Sequence, residues 1–131
     1  HPVSSRGEIE LRVVEIIKRR AKLIEDAGID VTVMSFSFFA VLRLRRKYKK
    51  VMKVVKYPWA YFIKPTKEFA IDIEAIKKHP GIIKRGAGNR VYVWTVNSEE
   101  DLKWLRKEDV YGVITDRPKR ARRILLSSHN G

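Results

Sequence analysis

The sequence predicts an α/β fold built from parallel βα units, and three observations point there. Short runs rich in β-branched residues alternate with amphipathic stretches at intervals of about 20–30 residues. Those runs are near-continuously apolar, as in strands buried on both faces of a parallel sheet covered by helices. No Gly-rich phosphate loop follows any run, so a βα barrel or an open doubly wound sheet is favoured over a nucleotide-binding version.

The elements follow in order. Residues 8–27 read as a helix, with Ile9, Val13, Ile16, Ile17, Ala21 and Ile24 at spacings of three and four, and Gly28 as its stop. Residues 31–36 read as a buried strand. Ser37 caps a second helix through about Tyr48, on an apolar stripe of Phe38, Val41, Leu44 and Tyr48. Residues 51–57 form the next strand, closed by Pro58. The stretch 58–70 reads as a loop holding packed aromatics (Trp59, Tyr61, Phe62, Phe69), and residues 70–73 as a short strand or helix start.

A short helix follows Pro80 and ends at the run 86–89. Residues 91–96 are the clearest strand in the chain. Ser98 then caps a helix whose first turn is Glu99, Glu100 and Asp101 and whose last turn holds Arg106 and Lys107, charges that suit both ends of the helix dipole. A short strand at 113–115 and a basic helix at 117–126 complete the pattern.

Composition bounds the function. A chain of 131 residues, 44% apolar, is one domain's worth of protein with a real core, and a single domain over 1–131 is expected. It is short for a complete (β/α)8 barrel of roughly 200 residues or more. The absence of cysteine excludes disulfides, thiol nucleophiles and cysteine metal sites. Of the three histidines, His1 and His129 sit beside the chain ends, and His79, before Pro80, reads as a surface residue with no neighbouring acid. No run reaches the roughly 18 apolar residues of a membrane span, and no signal-peptide pattern opens the chain; a soluble, cytoplasmic protein is the expectation. Abundant charged and β-branched residues without cysteine lean toward a thermophile-like source.

A net charge of +14 attracts phosphate-bearing partners, or else reflects solvated helix faces. Residues 43–56 alone carry Arg43, Arg45, Arg46, Lys47, Lys49, Lys50, Lys53 and Lys56. Such a run can track a nucleic-acid backbone with Tyr48 stacking on a base, or can belong to a wet outer helix.

The segments Val91-Tyr92-Val93-Trp94-Thr95-Val96-Asn97, Ser98 to Leu102, and Gly112-Val113-Ile114-Thr115-Asp116-Arg117-Pro118 resemble the end of glycerophosphodiester phosphodiesterases. That family has a Val-Trp-Thr-Val-Asn strand, an acid-capped helix, and then Gly-Ile-Ile-Thr-Asp-x-Pro. Upstream, Val33-Met34-Ser35-Phe36 and the following helix look like the family's Ser-Ser-Phe unit, so the resemblance covers about residues 8–126.

The resemblance implies the later part of a TIM-type (β/α)8 barrel, a partial barrel with its site at the C-terminal ends of the strands. It also implies hydrolysis of a glycerophosphodiester to glycerol 3-phosphate and an alcohol, in lipid and glycerol metabolism, assisted by a divalent metal ion (Mg or Ca). The family's catalytic histidines and metal-binding Glu and Asp belong to motifs that find no convincing match here. Ser5-Arg6-Gly7 imitates a His-Arg-Gly opening without the histidine. Glu8 and Glu10 echo a paired-carboxylate strand but read better as first-turn helix acids. No catalytic or metal residue is therefore assigned, and the isolated chain is expected to bind no metal and to be inactive.

Four residues are candidates for a substrate pocket. Trp94 matches the position of an aromatic wall in the family, with a core tryptophan as the alternative. Asn97 either hydrogen-bonds a ligand or holds the turn before Ser98. Ser35 and Phe36 stand at the corresponding end of the earlier strand. Asp116 is expected to organise the turn before Pro118. The expected partners are a glycerophosphodiester or another phosphate-containing ligand, and either a second copy or a missing N-terminal half, because a partial barrel leaves strand edges and an apolar face uncovered. The competing reading is a non-catalytic basic module that binds phosphate or nucleic acid on the same scaffold.

Overall fold

The computed structural model describes residues 7–57, 67–85, 90–108 and 110–127. The readings placed on His1, Ser5, Arg6, on most of the aromatic stretch (58–66), on 86–89 and on His129 lie outside those residues. The chain divides into two compact units, residues 1–54 and 55–131.

The first unit opens with α1 (Glu8–Arg19) and α2 (Ala21–Asp26), so the single helix read from periodicity is broken at Arg20. Gly7 precedes α1 with φ of 92°, and a Cβ there would lie 3.1 Å from the Arg43 Nε, so both backbone and space favour glycine. Gly28 ends α2 as expected. At φ of 65° its N–H reaches the Glu25 carbonyl and that of Ile29 reaches Ile24, a Schellman close.

Two strands and a helix follow. Strand β1 (Val33–Ser35) pairs in parallel with β2 (Val51–Val55), matching Val33 to Val51 and Ser35 to Lys53. Helix α3 (Phe38–Arg45) lies between them in sequence, capped by Ser37, whose hydroxyl accepts the Ala40 N–H at 3.3 Å. Val14, Val41, Leu44 and Val51 form this unit's core, with Val33 and Tyr48 packed against it.

The apolar stripe read on α1 stays largely uncovered. Ile9 and Ile16 are 59% and 61% exposed, and the one buried residue of α1, Val14, lies outside the residues read as the stripe. Periodicity locates an amphipathic face but not the neighbour that covers it.

The second unit holds β3 (Glu68–Asp72), α4 (Ile73–Lys78), α5 (Gly81–Arg85), β4 (Arg90–Trp94), α6 (Glu99–Lys107), β5 (Gly112–Val113) and α7 (Pro118–Leu125). The loop read over 58–70 ends early, because Glu68, Phe69 and Ala70 already belong to β3. Two end residues, Glu68 and Asp72, hide the strand in the sequence. Glu68 pairs with Arg90 at 3.0 Å, and Asp72 leaves the strand to cap α4 through the Glu74 and Ala75 N–H groups. Strands β3, β4 and β5 are parallel, with Phe69 against Val91, Asp72 against Trp94 and Val93 against Val113.

Side chains alternate across these strands. Phe69, Ile71, Val91 and Val93 enter the core with Ile76, Leu102, Leu105 and Ile124 from the helices. Tyr92 and Trp94 therefore occupy the other face. Gly112 packs closely beside them, since a Cβ there would lie 3.0 Å from the Tyr92 ring.

Candidate functional site at the strand ends

In the second unit the polar groups gather where β4 and β5 end. Trp94 closes β4 half-buried, on the face away from the core, and its indole N–H donates to the Ala70 carbonyl at 3.1 Å. One edge of the ring is thereby fixed to β3.

Asn97 ties the loop after β4 to the loop after β5. Its Oδ1 accepts from the Thr115 hydroxyl at 3.0 Å and from the Asp116 N–H at 3.1 Å, and its Nδ2 donates to the Asp116 carboxylate at 2.9 Å. Arg120 on α7 donates to the Asn97 carbonyl at 3.1 Å and lies 3.6 Å from Glu99. Thr115 in turn accepts the Arg117 N–H at 3.1 Å. Asp116 lies in the turn before Pro118 where it was read, and the Asn97 side chain braces that turn, with one amide N–H spent on Asp116. Thr115 and Arg120 escaped sequence reasoning because their partners lie 18 and 23 residues away.

In the first unit, Ser35 shares a face of β1 with Val33, the face turned to α1 and α3. Its hydroxyl accepts the Ser37 N–H at 3.1 Å. Phe36 follows, 61% exposed. Lys53, opposite Ser35 on β2, is 7% exposed, and its ammonium donates to the carbonyls of Phe36 at 2.5 Å and Val54 at 2.9 Å. Burial holds its pKa below the ordinary lysine value. A lone lysine inside the run Val-Met-Lys-Val-Val was the visible signal for it.

The carboxylates are engaged elsewhere. Glu10 pairs with Arg43, whose hydrogen bond holds the Glu10 carboxyl below its usual range. Glu8 is exposed in the first turn of α1, and His79 is exposed at the end of α4. Among the described residues no group of three or more His, Cys, Asp or Glu side chains converges as a metal site, so they do not fit a divalent ion by themselves. No helix among them is long and apolar enough to cross a membrane.

Comparison with known proteins gives this geometry a context. Residues 2–120 match the glycerophosphoryl diester phosphodiesterase family. A glycerophosphoryl diester phosphodiesterase structure from Silicibacter pomeroyi DSS-3 superimposes with a TM-score of 0.75 at 20% identity, over 96% of this chain and 46% of that one. A glycerophosphodiester phosphodiesterase from Parabacteroides distasonis ATCC 8503 gives 0.63 at 17% identity, over 88% and 52%. A phosphodiesterase from Oleispira antarctica, solved with the product sn-glycerol-3-phosphate, gives 0.57 at 16% identity, over 76% and 43%. The chain thus spans about half the length of the solved structures it matches. No curated protein sequence matches it. The fold is α/β, with parallel βα units corresponding to part of a TIM-type barrel.

Proposed function

The chain belongs to the glycerophosphoryl diester phosphodiesterase family, and on that premise we propose that it supplies one wall of a pocket for a glycerophosphodiester. The reaction is hydrolysis to glycerol 3-phosphate and an alcohol, in cytoplasmic lipid and glycerol metabolism. The observation that carries the reading is Trp94, set at the C-terminal end of β4 on the face away from the core. Barrel enzymes bind their substrates at that end of the strands. Trp94 offers a flat apolar surface to the glycerol carbons, and the second amide N–H of Asn97 serves a ligand oxygen.

The family's acid–base histidines and metal ligands come, on this reading, from βα units outside the matched half. General acid–base chemistry requires such groups within hydrogen-bond reach of the reacting atoms. The 131-residue chain alone is therefore inactive and takes no metal. Those units are supplied by an N-terminal half that carries them, or a second copy covers the exposed face. The exposed Ile9, Ile16 and Leu23 of α1 and α2 support such burial.

Tryptophan fluorescence titrated with glycerol 3-phosphate tests the pocket wall. A saturable change at millimolar concentrations, lost in Trp94→Phe, is expected; a flat titration of the parent chain sinks the reading. Release of glycerol 3-phosphate from glycerophosphocholine by the purified chain, with Mg or Ca present, would refute the inactivity. A stable monomer in sedimentation at working concentration would count against self-association.

The second reading, a non-catalytic module binding phosphate or nucleic acid, is favoured by the exposed cations Arg46, Lys47 and Lys49. Oligonucleotide titrations at two salt concentrations decide it, because phosphate contacts must weaken with salt.

A further inference from the structure

The outward face of α3 combines apolar area with positive charge. Ala40, Val41 and Leu44 define the buried face of this helix. Directly opposite, at spacings of three and four, stand Phe39, Leu42 and the cap residue Arg46. Phe39 is 68% exposed and Leu42 38%, and Phe36, one residue before the cap Ser37, is 61% exposed. The Phe38 and Phe39 rings meet edge to face at 5.7 Å, which steadies Phe39 on the surface.

Charge is unevenly spread over the first half of the chain. Residues 8–26 carry five cations and five acids, a net charge of zero, whereas residues 31–57 carry eight cations and no acid. Arg43 is tied to Glu10 and Lys50 to Asp30. Arg46, Lys47 and Lys49 surround the end of the apolar stripe and are exposed.

Four occupants compete for this face, and they make different demands. A further βα unit packs beside a helix, along the sheet, and leaves the outward face uncovered. Nucleic acid engages the cations through phosphates but has little use for an exposed Phe–Leu pair beside them. A second copy brings the same cation run against itself, which disfavours contact. An anionic bilayer uses both parts, with apolar side chains entering the acyl boundary and Lys and Arg meeting the headgroups.

We propose that the outward face of α3, built on Phe39, Leu42 and Arg46 with Phe36, docks the protein on a membrane surface rich in anionic phospholipid.

Flotation with vesicles of phosphatidylcholine alone, and of phosphatidylcholine with about one-third phosphatidylglycerol, tests the proposal on the full chain. The chain floats with the anionic vesicles only, and raising salt from about 50 to about 200 mM weakens binding by about tenfold. The double variant Phe39→Ser, Leu42→Ser binds about tenfold more weakly at fixed salt, since both side chains are surface-facing and their loss removes the apolar contribution. Unchanged far-UV circular dichroism confirms that this variant is folded. If it is not, the pair Arg46→Glu, Lys47→Glu must show the same loss. Any one of four results overturns the proposal: no flotation, equal binding to neutral vesicles, parent-like binding by the folded variant used, or complete removal of the chain by a duplex oligonucleotide at equal phosphate concentration.

Discussion

Replacing Asn97 separates a residue that holds two loops together from one that only meets a ligand. Three hydrogen bonds run from its amide to Thr115 and Asp116, at 2.9 to 3.1 Å. A neutral hydrogen bond is worth about 1 kcal/mol net, and one to a carboxylate about 1.5–3 kcal/mol. Asn97 and Asp116 are exposed, so water replaces much of what truncation removes. Asn97→Ala should therefore cost about 1–2 kcal/mol.

Asn97→Asp keeps the two acceptor bonds but sets a carboxylate where the donor stood, 2.9 Å from the Asp116 oxygen. Like charges at that distance repel by about 1 kcal/mol in a water-like dielectric and by several at the value used near protein surfaces. The aspartate variant should then be the less stable of the two at neutral pH. Repulsion raises a folded-state carboxyl pKa above its unfolded value, so this penalty is present above that pKa and fades as pH falls toward about 4.

Urea unfolding followed by tryptophan fluorescence is the assay, since Trp94 and Trp104 belong to the second unit. An alanine variant with the parent midpoint, or an aspartate variant more stable than alanine at pH 7 and unresponsive to acid, would refute the reasoning.

Two further outcomes are expected. Phe69→Ala empties the site of a fully buried ring in the β3–β4 core and should cost about 3–4 kcal/mol by the same assay. Glu10→Gln, followed by far-UV circular dichroism because the first unit lacks tryptophan, should lower stability by about 0.5–1 kcal/mol at neutral pH. The lowered Glu10 pKa means that this contribution is present above the unfolded value and is lost as pH falls through the folded one. Parent and variant should therefore converge at strongly acidic pH, and a gap that persists there would show another cause.

Local signals carried further in this chain than the burial pattern did. Ser37, Ser98 and Gly28 sit where the caps and stop were read, because a cap depends on residues three or four positions away. The Val91 strand, with the acid-led helix after it, carried the family resemblance for the same reason. The break at Arg20 and the start of β3 at Glu68 carried no comparable local mark. Glu68 makes sense as a strand residue only beside Arg90, 22 positions on.

The candidate site divides along the same line. Residue types and spacing brought Trp94, Asn97 and Asp116 forward, and the sequence alone established parallel βα units and kinship with a phosphodiesterase barrel. Tertiary structure decided that Trp94 faces away from the core, that Asn97 is braced by Thr115 and Asp116, and that Lys53 is buried against two carbonyls while Ile9 and Ile16 of the α1 stripe stay exposed. Capping and periodicity act within a turn or two of chain, whereas burial and loop-to-loop hydrogen bonds exist only once distant segments have paired.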